Sequence, residues 1–462
     1  MDQQVLEVDL DLIEKLDRNG PRYTSYPTAD RFDESFDSRA YALWTARRNR
    51  TGVQRPLSLY VHLPFCSSLC YYCACNKIIT RNPDKADKYL RYLYREIALQ
   101  APLFRDDARV DQMHWGGGTP TFYGLPDLQK LFDTLRSNFD LAPDGEYSIE
   151  IDPRTVGPET MTALRDMGFN RVSFGVQDFD PGVQRAVNRV QTAEQVGGLM
   201  EAARAAGFAS INIDLIYGLP RQTLETFGTT LATVAGLRPD RVAVYSYAHL
   251  PSRFKAQKQI VSSELPQPET KLRLLGLAAQ RLAASGYVYV GMDHFALPQD
   301  ALAVAQRQGR LHRNFQGYST HAECDLVGLG VSAIGAMGPT YSQNARTLSE
   351  YYERLDRNEI PVVRGVALTR DDLVRRSVIH ALMCHFEVSK EAVGIGYLID
   401  FDSYFAPELA ELAEFEKEGL LRVHGDWISV TAKGRMLIRS ISMVFDRYLR
   451  RDRETKRYSQ TI

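Results

Sequence analysis

Short runs of β-branched and aromatic residues recur through the first half of the chain, at Leu57–Leu63, 112–115, 147–151, 171–176, 210–216 and 241–247. Their spacing of roughly 30–50 residues is that of βα units. Between them, apolar positions return with helical period over 85–101, 125–139, 158–168, 193–207 and Leu224–Leu237. Gly168 and Gly207 stand where two of these helices should stop, just before the next strand. The alternation predicts a parallel sheet with right-handed crossovers, open or curled into a barrel.

The unusual residues fall at one end of these strands. The segments 62–75, 116–121, 150–153, 177–178, 218–220 and 248–251 each lie at or just after a predicted strand's C-terminal end. In a βα barrel that rim is where active sites assemble. After about Arg364 the pattern changes. Thr369 can cap a helix running to His385, with Asp371 and Asp372 in its first turn. A hairpin (420–424, Gly425, 427–430) and a last helix from about Ala432 then give a winged-helix-like outline. The stretch 250–340 is expected to fold over the barrel mouth.

Composition narrows the class. With 462 residues, 44% hydrophobic and 24% charged, the chain can fill a large catalytic domain and a smaller one. A formal net charge of −1 supplies no global field for nucleic acid or an anionic membrane, so any grip on a charged ligand must be local. The start, MDQQVLEVDLDLIEKL, reads as an acidic amphipathic helix without the basic region of a secretory signal. The most apolar stretch, 324–339, is short and broken by four glycines, so it is not a membrane span. The expected location is the cytoplasm, where thiols stay reduced and clustered cysteines point to metal or redox chemistry.

Four of the six cysteines lie within ten residues, as Cys66-Ser-Ser-Leu-Cys70-Tyr-Tyr-Cys73-Ala-Cys75. Three thiolates at C-x3-C-x2-C spacing can wrap one inorganic core, and thiolates are what iron–sulfur clusters require. If three bind, one iron keeps an open position for chemistry. A structural zinc is the competing reading, although such sites usually split their cysteines into two separated knuckles. Cys324 and Cys384 are isolated and read as core residues. One strand over, Gly116-Gly117-Gly118-Thr119-Pro120 removes side chains so that backbone can approach a ligand, though a tight turn would explain it equally. Glu150, Asp152, Gln177, Arg189 and Asp214 lie near the following strand ends and together suit a polar ligand shell. His62, His114, His249 and His294 flank these positions, and each reads more simply as a satisfied structural histidine.

The cysteine motif and the Gly-Gly-Gly-Thr-Pro turn resemble the radical S-adenosylmethionine superfamily. Gly20-Pro-Arg-Tyr-Thr-Ser-Tyr-Pro-Thr28, Cys73-Ala-Cys75, Gly175-Val-Gln-Asp-Phe179, Asn212-Ile-Asp-Leu-Ile-Tyr-Gly-Leu-Pro220 and His312-Arg-Asn-Phe-Gln-Gly-Tyr318 are similar to the oxygen-independent coproporphyrinogen III oxidase (coproporphyrinogen dehydrogenase) family. The likeness runs from the N-terminal arm to Val430-Thr-Ala-Lys-Gly434. It implies an incomplete six-stranded (β/α)6 TIM-like barrel over 51–363 with a substrate-covering segment. An arm and lid over 1–50 would precede it, and a mainly helical C-terminal domain over 364–462 would follow.

The resemblance also implies a site. Cys66, Cys70 and Cys73 would bind a [4Fe–4S] cluster, with Cys75 the family's non-ligand fourth cysteine. Two molecules of S-adenosylmethionine would lie against Tyr60, Tyr72, Gly117, Gly118, Thr119, Glu150, Gln177, Arg189, Asp214, Ala248 and Ile334. Tyr72 departs mildly from the family, which commonly has Phe there. The implied reaction takes a hydrogen from the β-carbon of a propionate with a 5′-deoxyadenosyl radical. Loss of carbon dioxide and one electron leaves a vinyl group, and two such events turn coproporphyrinogen III into protoporphyrinogen IX in heme biosynthesis. Arg22 and Arg313 are the candidates for holding substrate carboxylates, since guanidinium grips carboxylate at two points. The implied partners are the porphyrinogen and an electron donor such as a flavodoxin or ferredoxin, acting on a monomer. A heme-binding chaperone on the same barrel is the alternative; the Arg-Tyr-Thr-Ser-Tyr-Pro arm and Cys75 oppose it. A porphyrin-modifying radical enzyme of heme breakdown is a further rival. No basic stretch precedes the C-terminal hairpin, which argues against DNA binding.

Overall fold

The computed structural model describes residues 6–16, 18, 20–50, 55–104 and 108–451. Six parallel strands stand side by side in chain order: β1 (Leu57–Leu63), β2 (Arg109–Gly117), β3 (Asp140–Ile151), β4 (Arg171–Gln177), β5 (Ser210–Tyr217) and β6 (Arg241–Ser246). All six expected strands are present. β3 begins well before the expected Tyr147; Pro143 and Gly145 leave 140–146 without a strand-like pattern in the sequence. Its backbone nevertheless pairs with β2 through a register shift between Val110 and Gln112.

Side chains alternate across each strand with period two. In β1, Leu57, Leu59, Val61 and Leu63 are wholly buried. The intervening residues make polar and aromatic contacts: Ser58 donates to Gln112 (2.9 Å), and the Tyr60 ring stacks on His114 at 6.0 Å. The helices Pro83–Gln100, Leu125–Asn138, Glu159–Met167, Ala193–Ala205 and Leu224–Leu237 fill the connections. The first starts with Asn82 accepting from the Asp84 N–H, and the last with a capping box between Thr223 and Thr226. Gly168 closes the third at φ +126°, a backbone setting that side chains disfavour.

The expectation that 250–340 covers the mouth fits only its first part. Gln257 donates to the carbonyls of Tyr72 (3.2 Å) and Ala248 (3.1 Å), which fixes this segment beside the cysteine loop. Of the remainder, the helices Pro268–Ala284 and Ala301–Arg307 and the hairpin His312–Asn314 with Gly317–Ser319 stand outside the sheet, and the other strands build both its edges. β7 (Val288–Gly291) and β8 (His294–Ala296) extend it antiparallel beyond β6. β9 (Asp325–Leu329) pairs parallel with β1, and β10 (Ile334–Met337), β11 (Thr340–Asn344) and β12 (Val362–Ala367) follow antiparallel. The result is one open mixed sheet in the order β12-β11-β10-β9-β1-β2-β3-β4-β5-β6-β8-β7. A parallel sheet with bare edges leaves rows of unpaired N–H and C=O groups, and these short strands cover them.

The N-terminal helix is Leu10–Leu16, shorter than expected; the reading of residues 1–5 lies outside the described residues, as do the expected domain start at 51 and the final residues 452–462. The arm that follows is held from two sides. Arg439 donates to the carbonyls of Pro21 (3.2 Å) and Gly20 (2.7 Å), Tyr23 donates to Asp446 (3.0 Å), and Asp33 pairs with Gly365. Thr369 caps Arg370–His385 through a capping box with Asp372, as expected. The hairpin Leu421–His424 and Trp427–Val430 gains a third strand, Glu387–Ser389. The expected last helix is broken into a 3-10 turn, Arg435–Leu437, and the helices Ile438–Met443 and Arg447–Arg451. No helix among the described residues is long and apolar enough to cross a membrane.

One buried carboxyl gives the stability a pH signature. Glu96 accepts from Gln100 (2.8 Å), Asn344 (2.6 Å), the Gly330 N–H (2.7 Å) and Tyr351 (2.6 Å), which ties the first helix to the turn after β9. Burial nevertheless pushes its pKa from 4.5 up to about 7. Between these values the folded chain keeps a proton that the unfolded chain has released, so this group's contribution to stability falls as pH rises. Thermal midpoints measured across that range should lose this slope in Glu96→Gln; an unchanged slope would refute the assignment.

Candidate active site at the strand ends

The cysteine loop leaves the end of β1 and is tied at its base. Phe65–Cys66 pairs with Ile78–Ile79, with the Ile78 N–H on the Pro64 carbonyl (2.7 Å) and the Thr80 N–H on that of Cys66 (3.0 Å). The span between is held by neighbouring elements, with the Tyr71 N–H on the Val187 carbonyl (3.0 Å) and Asn188 donating to the Leu69 carbonyl (2.7 Å). Its sulfurs meet polar groups from neighbouring strand ends: Cys66 Sγ lies 3.4 Å from Thr119 Oγ1. Cys70 Sγ receives Arg154 Nη2 and Arg189 Nη1, both at 3.4 Å. Burial pushes the Cys66 thiol up to about 11. Cys73 goes the other way, to about 6, chiefly because the Cys75 thiol hydrogen-bonds to it, with help from the Lys77 ammonium against burial. Cys75 itself is exposed.

The glycine turn meets the loop from β2. A Cβ on Gly116 would sit 2.9 Å from the Glu150 carboxyl, one on Gly117 2.6 Å from the His62 ring, and one on Gly118 2.6 Å from the Pro64 carbonyl. Gly117 also has φ +114°. Gly117, by its φ and the His62 ring, and Gly118, against backbone atoms, therefore require glycine, while a side chain at Gly116 would displace the Glu150 carboxyl; the turn brings β2 backbone against the start of the cysteine loop. The Gly118 and Thr119 N–H groups bond to the carbonyls of Leu63 (2.8 Å) and Phe65 (2.9 Å).

Around this seam the other expected residues gather. Glu150 accepts from the Gly117 N–H (3.2 Å) and faces His114 Nε2 (3.3 Å). Burial raises its pKa, but His114 and Gly117 outweigh it and hold the carboxyl below its ordinary value. Asp214, bonded to Ser173 (3.0 Å) and Asn212 (2.9 Å), is instead pushed up to about 6 by burial and the charge of Glu150. Arg189 donates to the Gly175 carbonyl (3.0 Å) and pairs with Asp152 (3.2 Å). Its guanidinium and the Gln177 amide both lie over Gly175, where a Cβ would be 3.0 Å from each. Ile334 backbone lies against Gly328 of β9, which pairs on its other side with Tyr60 of β1. Ala248 and Tyr72 share Gln257 as described above.

Arg22 and Arg313 are brought together. Arg22 pairs with Asp293 (2.7 Å) and lies over the Tyr245 ring (5.6 Å). Arg313 donates to the Arg22 carbonyl (3.4 Å), covers the Tyr318 ring (4.7 Å), and keeps a buried Nη1 without a hydrogen-bond partner. His294 stands between Tyr245 and Tyr318, neutral because burial takes its pKa down to about 3. The other flanking histidines are satisfied: His62 by Tyr60 and the Asn76 carbonyl, His114 by Ser148, His249 by Tyr247 and Ser262. Sequence reasoning passed over Arg154. Its only signal in the sequence is position, two residues beyond Asp152 at a strand end.

The donor set can be tested against a metal. Tetrahedral zinc would draw sulfurs to about 3.8 Å from one another. No three of the four loop cysteines bring their sulfurs within 4.8 Å, so they do not converge on a single ion. Sulfurs held apart, guanidinium donors against Cys70 and a cradle without side chains suit the wider, anionic body of an iron–sulfur cluster with an organic ligand beside it.

Comparison with known proteins agrees with this geometry. Residues 60–234 match the model of the radical SAM superfamily, and residues 368–437 that of the HemN C-terminal domain. The chain is 50% identical to oxygen-independent coproporphyrinogen III oxidase of Escherichia coli (strain K12) over 462 residues, all of both chains. The corresponding protein of Pseudomonas aeruginosa is 50% identical over 96% of each chain. That of Synechocystis is 45% identical over 99% of this chain and 98% of the relative. The solved structure of the Escherichia coli coproporphyrinogen III oxidase, described as a radical SAM enzyme, superposes with a TM-score of 0.92 over 96% of this chain and 100% of that one.

Proposed function

The chain belongs to the oxygen-independent coproporphyrinogen III oxidase family of the radical SAM superfamily, and from that membership we propose how its residues divide the work. It is an oxidoreductase of heme biosynthesis that converts two propionates of coproporphyrinogen III to vinyl groups without oxygen. The family's [4Fe–4S] cluster and S-adenosylmethionine, when bound, supply the one-electron cleavage that yields the hydrogen-abstracting radical.

Cys66, Cys70 and Cys73 hold the cluster in this reading, and Arg154 and Arg189 place positive N–H groups against the Cys70 sulfur. Gly117, Gly118 and Thr119 offer bare backbone beside the cluster, while Glu150 and Asp214 offer carboxylates suited to ribose hydroxyls or an ammonium. Two such carboxylates, with Gln177, Arg189, Tyr60, Tyr72, Ala248 and Ile334 spread around the seam, support a second S-adenosylmethionine beside the first. Arg313 and Arg22 take substrate propionates, and the arm that carries Arg22 acts as the lid. The open sheet supports an incomplete six-stranded barrel over 51–363, with the arm over 1–50 and a winged-helix-like unit over 364–462. We place the protein in the cytoplasm as a monomer, served by a flavodoxin- or ferredoxin-type donor.

The observation that carries this reading is the seam itself: three cysteines, two guanidinium groups and a side-chain-free cradle meeting at one mouth. Anaerobic incubation of reconstituted protein with dithionite, S-adenosylmethionine and coproporphyrinogen III should give 5′-deoxyadenosine and protoporphyrinogen IX together. Nucleoside without a vinyl-bearing product would reject the substrate. The unpaired Nη1 of Arg313 gives a sharper check. Arg313→Lys forfeits two-point recognition and should lower kcat/KM for the porphyrinogen roughly 10–100-fold, the worth of one hydrogen bond to a charged group. Iron content should not change.

A further inference from the structure

At the opposite end of the parallel strands, far from the cysteine loop in sequence, one turn gathers three metal-binding side chains. His321, Glu323 and Cys324 lie just before β9, whose first residue, Asp325, bonds through its N–H to the Pro56 carbonyl (2.9 Å) at the start of β1. Their ligand atoms all lie within 4.8 Å of one another. His321 Nδ1 is 3.5 Å from Glu323 Oε1, and Cys324 Sγ is 3.9 Å from the same oxygen. Zinc bonds of about 2.0–2.3 Å in a tetrahedron need N···O and S···O edges of about 3.3 and 3.5 Å. Both edges that meet at the Glu323 oxygen are thus within a few tenths of an ångström of those values, and the histidine–thiol edge is within 4.8 Å. Cys324, which looked like a core residue in the sequence, is only half-buried.

The surroundings are built in a way a chance cluster is not. The far nitrogen of the histidine, Nε2, faces Glu146 Oε2 at 3.9 Å. That carboxylate is itself held by Arg171 (2.9 Å) and Gln112 (3.2 Å). A carboxylate on the outer nitrogen fixes the tautomer and aims the inner one, which is how metal-binding histidines are usually supported. The turn is also rigid. The His321 N–H bonds to Ser319 Oγ (3.1 Å), the Cys324 N–H to the His321 carbonyl (3.4 Å), and Arg55 donates to the carbonyls of Glu323 (2.9 Å) and Ala322 (3.3 Å). Thiolate with imidazole selects a zinc-like ion over magnesium or calcium.

We propose that His321, Glu323 and Cys324 form a second metal site, for a thiophilic divalent cation such as zinc, with water in the fourth position and Glu146 as support. It does not touch the reacting groups. It pins the turn leading into β9, the strand beside β1, to β3 on the far side of the sheet's base, and it stabilises that end of the barrel.

The test uses the full chain with its iron–sulfur cluster reconstituted, so that the cysteine loop is already occupied. After incubation with zinc and desalting through a competing chelator, wild type should keep about one zinc more than His321→Ala or Cys324→Ala. Glu146→Gln should weaken binding roughly 10–100-fold, as loss of a supporting carboxylate does. Iron content and 5′-deoxyadenosine formation should match wild type in the variants, which shows that they fold. Cobalt added to wild type gives an arm independent of any variant: it should produce thiolate charge-transfer and tetrahedral ligand-field bands. Equal zinc in wild type and variants, or cobalt spectra without a thiolate band, would overturn the site.

Discussion

Cys70→Ser should yield protein that cannot be reconstituted with iron and forms no 5′-deoxyadenosine, whereas Cys75→Ser should hold near-wild-type iron. Four cysteines crowd the loop, yet their settings differ. Cys70 is buried and faces two guanidinium groups, Arg154 and Arg189, at 3.4 Å each. Serine there would present a neutral hydroxyl to two cations and offer iron a poor ligand. Cys75 is exposed, and its contribution is a hydrogen bond that lowers the Cys73 pKa. A serine hydroxyl can still make that bond, so the expected loss is at most about the 1.5–3 kcal/mol worth of a hydrogen bond to a charged group. Iron and sulfide counts on the two anaerobically reconstituted variants decide it. Comparable losses in both would mean that Cys75 is a ligand and that the three-cysteine assignment fails.

The parts of this molecule that were legible in the sequence are those governed by local pattern. The six parallel strands are buried on their helix-facing side, so runs such as Leu57–Leu63 stand out, and the rule that chemistry gathers at strand ends then collects the site. Glu96, a carboxylate on the buried stripe of its helix beside Leu93 and Ile97, was not singled out, because only the fold shows the partners that satisfy it. Illegible were features made by contacts across the chain. β7 to β12 are short and interrupted by Gly291, Gly328, Gly330, Gly335 and Gly338, so they carry no period. The arm's partners, Asp293, Arg439 and Asp446, lie more than 250 residues away from it. Arg154 carries no distinguishing pattern until the fold sets it against Cys70. The His321–Cys324 turn shows nothing until Glu146 comes up behind it from another strand.

Asp152→Asn should be among the most destabilising single-atom changes available in this chain. The carboxylate is buried between Arg154 (2.7 Å) and Arg189 (3.2 Å), whose side chains are themselves 20% and 7% exposed. Burial alone would raise its pKa, but the Arg154 hydrogen bonds and both guanidinium charges more than offset that and hold it below its ordinary value. A carboxyl with a depressed folded-state pKa contributes stability above its unfolded value of 3.8 and loses it as pH falls through the folded one. The amide removes the contribution at every pH. It leaves two desolvated cations side by side, and breaking a buried pair in this way costs about 3–5 kcal/mol. For a domain of this size that is a fall in thermal midpoint of roughly 5–10 °C. The bound cluster is anionic and can face the orphaned guanidinium groups in place of the lost carboxylate. The fall should therefore be larger in the iron-free protein than in the reconstituted one. Thermal unfolding of both forms near neutral pH makes the comparison, and equal shifts would show that Arg154 and Arg189 do not answer to charge at the Cys70 sulfur.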